Sequence, residues 1–176
     1  DATGAEIVRV LTRAVLERGE AAIFERTFAC EIATDSGRAV GVYARHSDGR
    51  LVLHLAHAVI LATGGVGHLY LHTTNPREAT GDGLALAWQA GALLADLEFV
   101  QFHPTALASG DDPMPLLTEA LRGAGARLVD EAGLPLITDL GPEPELLPRD
   151  VVARVLWEKL RAGRRPFLDA RHLGAE

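Results

Sequence analysis

Cysteine is almost missing from this chain of 176 residues: Cys30 is the single one, which excludes an internal disulfide and any zinc or iron–sulfur centre built on thiolates. Such usage suits a reducing compartment, and the cytoplasm is the expected location. Lysine is nearly absent too. Lys159 is the one lysine among 17 basic side chains, so an anionic small molecule would be gripped by planar guanidinium forks rather than flexible ammonium groups. Against 24 acidic residues the net charge is −7, with no basic run, which argues against nucleic acid or an anionic membrane as partner. Long apolar runs are lacking as well: residues 83–95 are interrupted by Gln89 and followed by Asp96, short of the roughly 20 residues that cross a bilayer. No signal-peptide pattern opens the chain. No G-x-G-x-x-G dinucleotide fingerprint occurs anywhere. The first residue is Asp1 rather than Met and an amphipathic pattern begins at once, so the chain is expected to be an internal piece of a longer one.

What is present is an ordinary globular composition, 48% hydrophobic, enough for one core or two small ones. From Thr3 onward Ile7, Val8, Leu11, Ala14 and Val15 share a helical stripe that Gly19 stops. The period then drops to two, with β-rich runs around residues 22–24, 29–33, 39–45 and 50–56, punctuated by Asp35-Ser36-Gly37 and Ser47-Asp48-Gly49. Residues 57–63 are continuously apolar, which predicts a strand covered on both faces, as at the centre of an α/β sheet, ending at Gly64-Gly65. The texture changes near residues 68–74. A helix over 81–91 with Leu84, Ala85, Ala87 and Trp88 inward is predicted, then an irregular section over 98–115 and a short helix near Glu119. A hairpin around Glu131-Ala132-Gly133 and a helix over 148–162 stopped by Gly163 complete the pattern, the last with Val151, Val152, Val155, Leu156 and Leu160 inward.

Four places carry chemical potential. Thr63-Gly64-Gly65 ends the apolar run where no Cβ intervenes, so backbone amides can approach a cofactor closely; a plain tight turn is the alternative. Asp82 stands at the start of the next helix, as an anion- or hydroxyl-facing group or as a simple cap. His103 precedes Pro104, which fixes an extended loop, and it stands near Thr118, Glu119 and Arg122: an imidazole, a hydroxyl, a carboxylate and a guanidinium. Together they suit a dicarboxylate pocket better than a surface ion pair. Arg149 opens the last helix against the positive end of its dipole, which calls for an acid partner such as Asp150 or for a second role, orienting a carboxylate. His68 and His72 have two-ligand spacing, but flanking glycines and prolines disfavour a helix there and no metal is expected.

Taken in order, Ala62-Thr63-Gly64-Gly65, Thr73-Thr74-Asn75-Pro76, residues 79–83, the run 98–105, Thr118-Glu119-Ala120-Leu121-Arg122-Gly123 and Pro148-Arg149-Asp150 resemble the succinate dehydrogenase and fumarate reductase flavoprotein family. The Thr-Glu-Ala-Leu-Arg-Gly wording is most similar to its members that oxidise L-aspartate. The resemblance implies a mixed α/β and α+β fold: residues 1–72 as the rear part of an FAD-binding Rossmann-like domain and 73–176 as an incomplete capping, substrate-bearing domain of the fumarate reductase flavoprotein type. It implies non-covalent FAD and oxidation of L-aspartate to iminoaspartate with oxygen or fumarate as acceptor. That is the first step of bacterial NAD biosynthesis, with quinolinate synthase acting downstream. The flavoprotein subunit of a fumarate reductase or succinate dehydrogenase, or a non-catalytic piece, are the other readings. By analogy Arg149 transfers the proton, His103, Thr118, Glu119 and Arg122 meet the substrate, and Ala29, Cys30, Thr63, Gly64, Gly65, Asn75 and Asp82 contact FAD. The chain departs from the family at Ala124, where glutamate is usual, and at Leu136-Ile137, where Phe-Met is usual.

Overall fold

The computed structural model describes residues 3–174. They divide into two units, Asp1–Ile60 with Leu86–Ala92, and Leu61–Ala85 with Leu93–Glu176.

The first unit opens with α1 (Thr3–Arg18), which Gly19 ends in the left-handed conformation, its amide returning to the Val15 carbonyl. No residue of α1 is buried, so the stripe of Ile7, Leu11 and Val15 lies open. Three antiparallel strands follow, β1 (Phe28–Asp35), β2 (Arg38–Arg45) and β3 (Leu51–Leu55), in the order β1-β2-β3. Ser36 and Gly37 both take positive φ, the geometry of a tight hairpin turn whose twist matches the strands. At Gly41 a Cβ would stand 2.4 Å from the His54 carbonyl oxygen, so the β2–β3 approach needs glycine there. Residues 22–24, expected as strand, are irregular.

The second unit holds the main core. Leu128, Leu136, Ile137, Val152 and Leu156 pack together, flanked by Leu147, Val155 and Leu168. They come from β4 (Arg127–Val129), the hairpin after it, α4 (Arg149–Arg161) and β5 (Phe167–Asp169), which pairs with β4. Leu136 and Ile137 therefore fill this core. The α4 stripe is buried at Val152 and Leu156, half-buried at Val151 and Val155, and open at Leu160. The hairpin turn is held by Asp130, whose carboxylate accepts from the amides of Ala132 and Leu134, both at 2.9 Å, and from Arg164.

These donors, the Leu134 amide foremost, hold the Asp130 carboxyl below the usual aspartate range. A carboxylate whose folded pKa is depressed stabilises the fold above its unfolded value of about 4 and loses that contribution as pH falls through the folded one. The thermal midpoint is therefore expected to drop on acidification below about pH 4, with a shallower drop in Asp130→Asn. An identical acid dependence in the variant would remove Asp130 from this role.

Two further expectations are corrected. Residues 57–63 form no strand, and Ile60 is 90% exposed. A continuously apolar strand needs neighbours on both edges and cover on both faces, and neither sheet among the described residues includes this run. In α2 (Asp82–Gln89) the buried residues are Gly83 and Leu86, while Leu84, Ala85 and Trp88 are exposed. The reason is Gly83: a Cβ there would meet the Thr63 hydroxyl, so the face lacking a side chain is the one that packs.

Candidate functional site

The glycine-rich segment comes first. The Gly65 carbonyl accepts from the Gly81 amide at 3.2 Å, tying residues 63–67 to the start of α2. Thr63 lies against Gly83, and the Asn75 carboxamide lies over Gly67, where a Cβ would come within 2.3 Å of it. The Asn75 amide is held by the Thr73 hydroxyl at 3.1 Å, and the Asn75 carbonyl lies 3.2 Å from Nδ1 of His68. Asp82, in the first turn of α2, accepts from the Thr80 hydroxyl. Thr63, Gly64, Gly65, Asn75 and Asp82 thus belong to one knot of loop and helix start. Above Gly64 and Gly65 no atom lies within 4 Å of where a Cβ would be, and Gly64 has φ +78°. That open backbone beside two hydroxyls and a carboxylate fits a hydroxyl-rich nucleotide cofactor approaching at van der Waals distance.

Ala29 and Cys30 lie elsewhere, on β1 of the first unit. The register slips between Ala29 and Glu31, making Cys30 an extra residue in the strand. Its thiol reaches the Phe28 carbonyl at 3.5 Å.

The second cluster is polar and charged. Residues 103–105 are tied to the start of α3 (Glu119–Gly123) by the Thr105 hydroxyl, which donates to the Leu117 carbonyl at 2.8 Å, and by the returning Leu117 amide. Nδ1 of His103 lies 3.2 Å from the Thr105 amide and 3.1 Å from its carbonyl, leaving Nε2 for a ligand. Burial, reinforced by the Arg149 and Arg122 charges, pushes the His103 pKa below the ordinary imidazole value. Thr118 precedes α3 in extended conformation, and its hydroxyl makes no capping bond. It is available as a donor.

Glu119 stands between two arginines. Its Oε2 accepts from Arg149 Nε at 2.9 Å and Nη2 at 2.7 Å, and its Oε1 lies 3.6 Å from Arg122 Nη2. The hydrogen bonds from Arg149 hold the Glu119 carboxyl below the usual glutamate range. Arg149 Nη1 donates to Gln101 Oε1 at 3.1 Å. Arg122 is 1% exposed; its Nη1 donates to the Glu145 carbonyl, while Nε and Nη2 have no hydrogen-bond partner. Two fixed cations about one carboxylate leave a single net positive charge, with an imidazole and a hydroxyl beside it. Such an array can receive an anionic ligand with two acceptor ends.

The acid partner of Arg149 is Glu119, thirty positions away, and not Asp150, which pairs with Arg154 at 3.5 Å. The helix geometry explains this: Asp150 and Arg154 are one turn apart on an exposed face, whereas Arg149 points back toward α3. Gln101 and Glu145 were not singled out by sequence reasoning. Gln101 sits two positions before His103 in the same extended loop, a signal that could have been used. Glu145 contributes a backbone carbonyl, which no residue type announces.

The chain is 51% identical over 171 residues to the L-aspartate oxidase of Caulobacter vibrioides, covering 97% of this chain and 33% of that protein. With the L-aspartate oxidase of Bacillus subtilis it shares 42% over 169 residues, covering 96% and 32%. The chain therefore spans about a third of the length of these relatives. Among solved structures, a quinol–fumarate reductase with menaquinol molecules matches at TM-score 0.81 and 34% identity, over 93% of this chain and 32% of that one. The mixed helix and strand content is accordingly that of the fumarate reductase flavoproteins. The model of the FAD binding domain matches residues 1–176 throughout, and the chain belongs to that family.

Proposed function

We propose that this chain is part of an FAD-dependent enzyme that oxidises L-aspartate to iminoaspartate, with oxygen or fumarate as final acceptor, as the first step of bacterial NAD biosynthesis. The observation that carries this reading is the Arg122–Glu119–Arg149 array beside His103. Its single positive charge matches the single negative charge of aspartate, and the two curated relatives reported above bear the name L-aspartate oxidase. His103 Nε2 and the Thr118 hydroxyl would hold one carboxylate, and Arg122 would meet the other beside Glu119. Arg149, pinned at Nε and Nη2 by Glu119, takes the proton-transfer role at its Nη atoms. Non-covalent FAD, when bound, supplies the two-electron acceptor for the hydride leaving the α-carbon. Thr63, Gly64, Gly65, Asn75 and Asp82 would hold it, with Ala29 and Cys30 toward its adenine end. Residues 1–72 then belong to the FAD-binding part and 73–176 to a capping part that keeps water from the substrate. The product suits quinolinate synthase as the next enzyme, in the cytoplasm; no helix among the described residues is long and apolar enough to cross a membrane.

The full-length protein, purified with flavin, is expected to release hydrogen peroxide when given L-aspartate and oxygen. A flavin-loaded protein inert to aspartate but reducing fumarate from an electron-transfer partner would instead support a fumarate reductase or succinate dehydrogenase flavoprotein, the reading favoured by the structural neighbour. A protein taking up no flavin and turning over neither substrate would leave a non-catalytic module.

A further inference from the structure

The first unit carries a pair of imidazoles that the flavin and substrate readings leave unused. His46 follows the last residue of β2, and His54 lies within β3 opposite Val42. Side chains alternate along a strand, so His46, Ala44 and Val42 share one face of the sheet, and His54 joins them there through its pairing with Val42. On that face the two Nε2 atoms lie 3.1 Å apart in a hydrogen bond, so one of them carries the proton that a bound cation would displace. Phe24 packs edge-on against the His46 ring at 5.6 Å and tilted against the His54 ring at 4.6 Å, and the two imidazoles are stacked at 5.3 Å. Both histidines are half-buried, so their rotamers are restrained before anything binds.

We infer that His46 and His54 form a two-nitrogen clamp for one borderline divalent cation of the Ni2+ or Cu2+ type. Two nitrogens 3.1 Å apart, each at a metal–nitrogen distance of about 2.1 Å, subtend about 95° at the metal. That angle is near the 90° of square-planar or octahedral coordination and well below the tetrahedral value, which selects Cu2+ or Ni2+ over structural Zn2+. Among the described residues no group of three or more His, Cys, Asp or Glu side chains is arranged to hold a metal, so the clamp offers two protein ligands. The site is open and exchangeable. Imidazole donors make it indifferent to Mg2+ and Ca2+, which take oxygen.

The test uses tag-free, metal-stripped full-length protein titrated with NiCl2 by calorimetry, and with CuCl2 by electron paramagnetic resonance. One Ni2+ equivalent is expected to bind at the clamp, and His46→Gln or His54→Gln each weakens it at least about tenfold, the lower end of what losing even a supporting partner costs a metal site. The Cu2+ spectrum is expected to show coupling to two imidazole nitrogens in the wild type and to one in either variant. Glutamine keeps a polar side chain at these half-buried positions, and His57→Gln, with a histidine outside the clamp, is expected to bind as the wild type does. Absence of Ni2+ binding by the wild type, equal affinity in all variants, or two-nitrogen coupling that survives when His46→Gln and His54→Gln are combined would overturn the clamp and leave a simple imidazole–imidazole hydrogen bond.

Discussion

Arg149→Leu is expected to lower aspartate turnover in the full-length enzyme by about 10²- to 10⁴-fold, the span that a positioned proton-transfer group contributes, while flavin absorbance is retained. The geometry explains both halves of the result. Of the five guanidinium N–H donors, those used on Glu119 and Gln101 are the ones that fix the plane, and two remain for a ligand. Arginine has too high a pKa to act as an ordinary acid or base in water, so its role depends on that fixed plane and on the carboxylate pinned against it. Leucine removes the donors and also releases Glu119, whose carboxyl then rises toward the usual glutamate range because the Arg149 hydrogen bonds are its largest cause of depression. The pH profile of the residual activity should therefore move upward in pH. Arg149→Lys, with a point charge in place of a fork, is expected to recover only a small part of the rate. Turnover within about threefold of the wild type in Arg149→Leu would reduce this pair to an exposed ion pair, worth little by itself.

Local signals carried well where the partner is near in sequence. Gly19 and Gly163 end their helices in the left-handed conformation, and Asp35-Ser36-Gly37 makes its turn, because each depends on a few consecutive residues. The polar cluster was legible as a set, since His103-Pro104 fixes an extended loop and Thr118 to Arg122 are consecutive. Its wiring was not. Local spacing suggested Asp150 for Arg149, yet the bond is made to Glu119 across thirty residues, and nothing in either segment alone encodes that meeting. The apolar run over 57–63 failed for a related reason. Apolarity states what a segment needs, whereas strand formation depends on neighbours that the described residues do not supply. In α2 the large apolar residues point to the wrong face, because the packing depends on Gly83 against Thr63.

Arg122→Met is expected to separate binding from stability. The side chain is 1% exposed and Nη1 is satisfied by the Glu145 carbonyl, but Nε and Nη2 are buried without a hydrogen-bond partner. A buried donor left unpaired costs about 1–3 kcal/mol, so a purely structural arginine would be poorly placed here. In the proposed reading a substrate carboxylate supplies the missing acceptor once the groups that cover these buried nitrogens move aside. Methionine has similar length and no polar demand, and the carboxylate it leaves behind, Glu119, is half-exposed and stays paired with Arg149 at 2.7 Å, so the penalty of an uncompensated buried charge is avoided. The variant should unfold within about 1 kcal/mol of the wild type. It should also lose about 10²- to 10³-fold in kcat/KM for aspartate, comparable to removing one preorganised donor from a transition state. If the loss appears in KM, Arg122 grips the ground-state carboxylate; if it appears in kcat, the donors act mainly in the transition state. A variant that loses several kcal/mol of stability while its folded fraction keeps full kcat/KM would make Arg122 a strut between α3 and the Glu145 turn, and the dicarboxylate site would have to be sought around Arg149 and His103 alone.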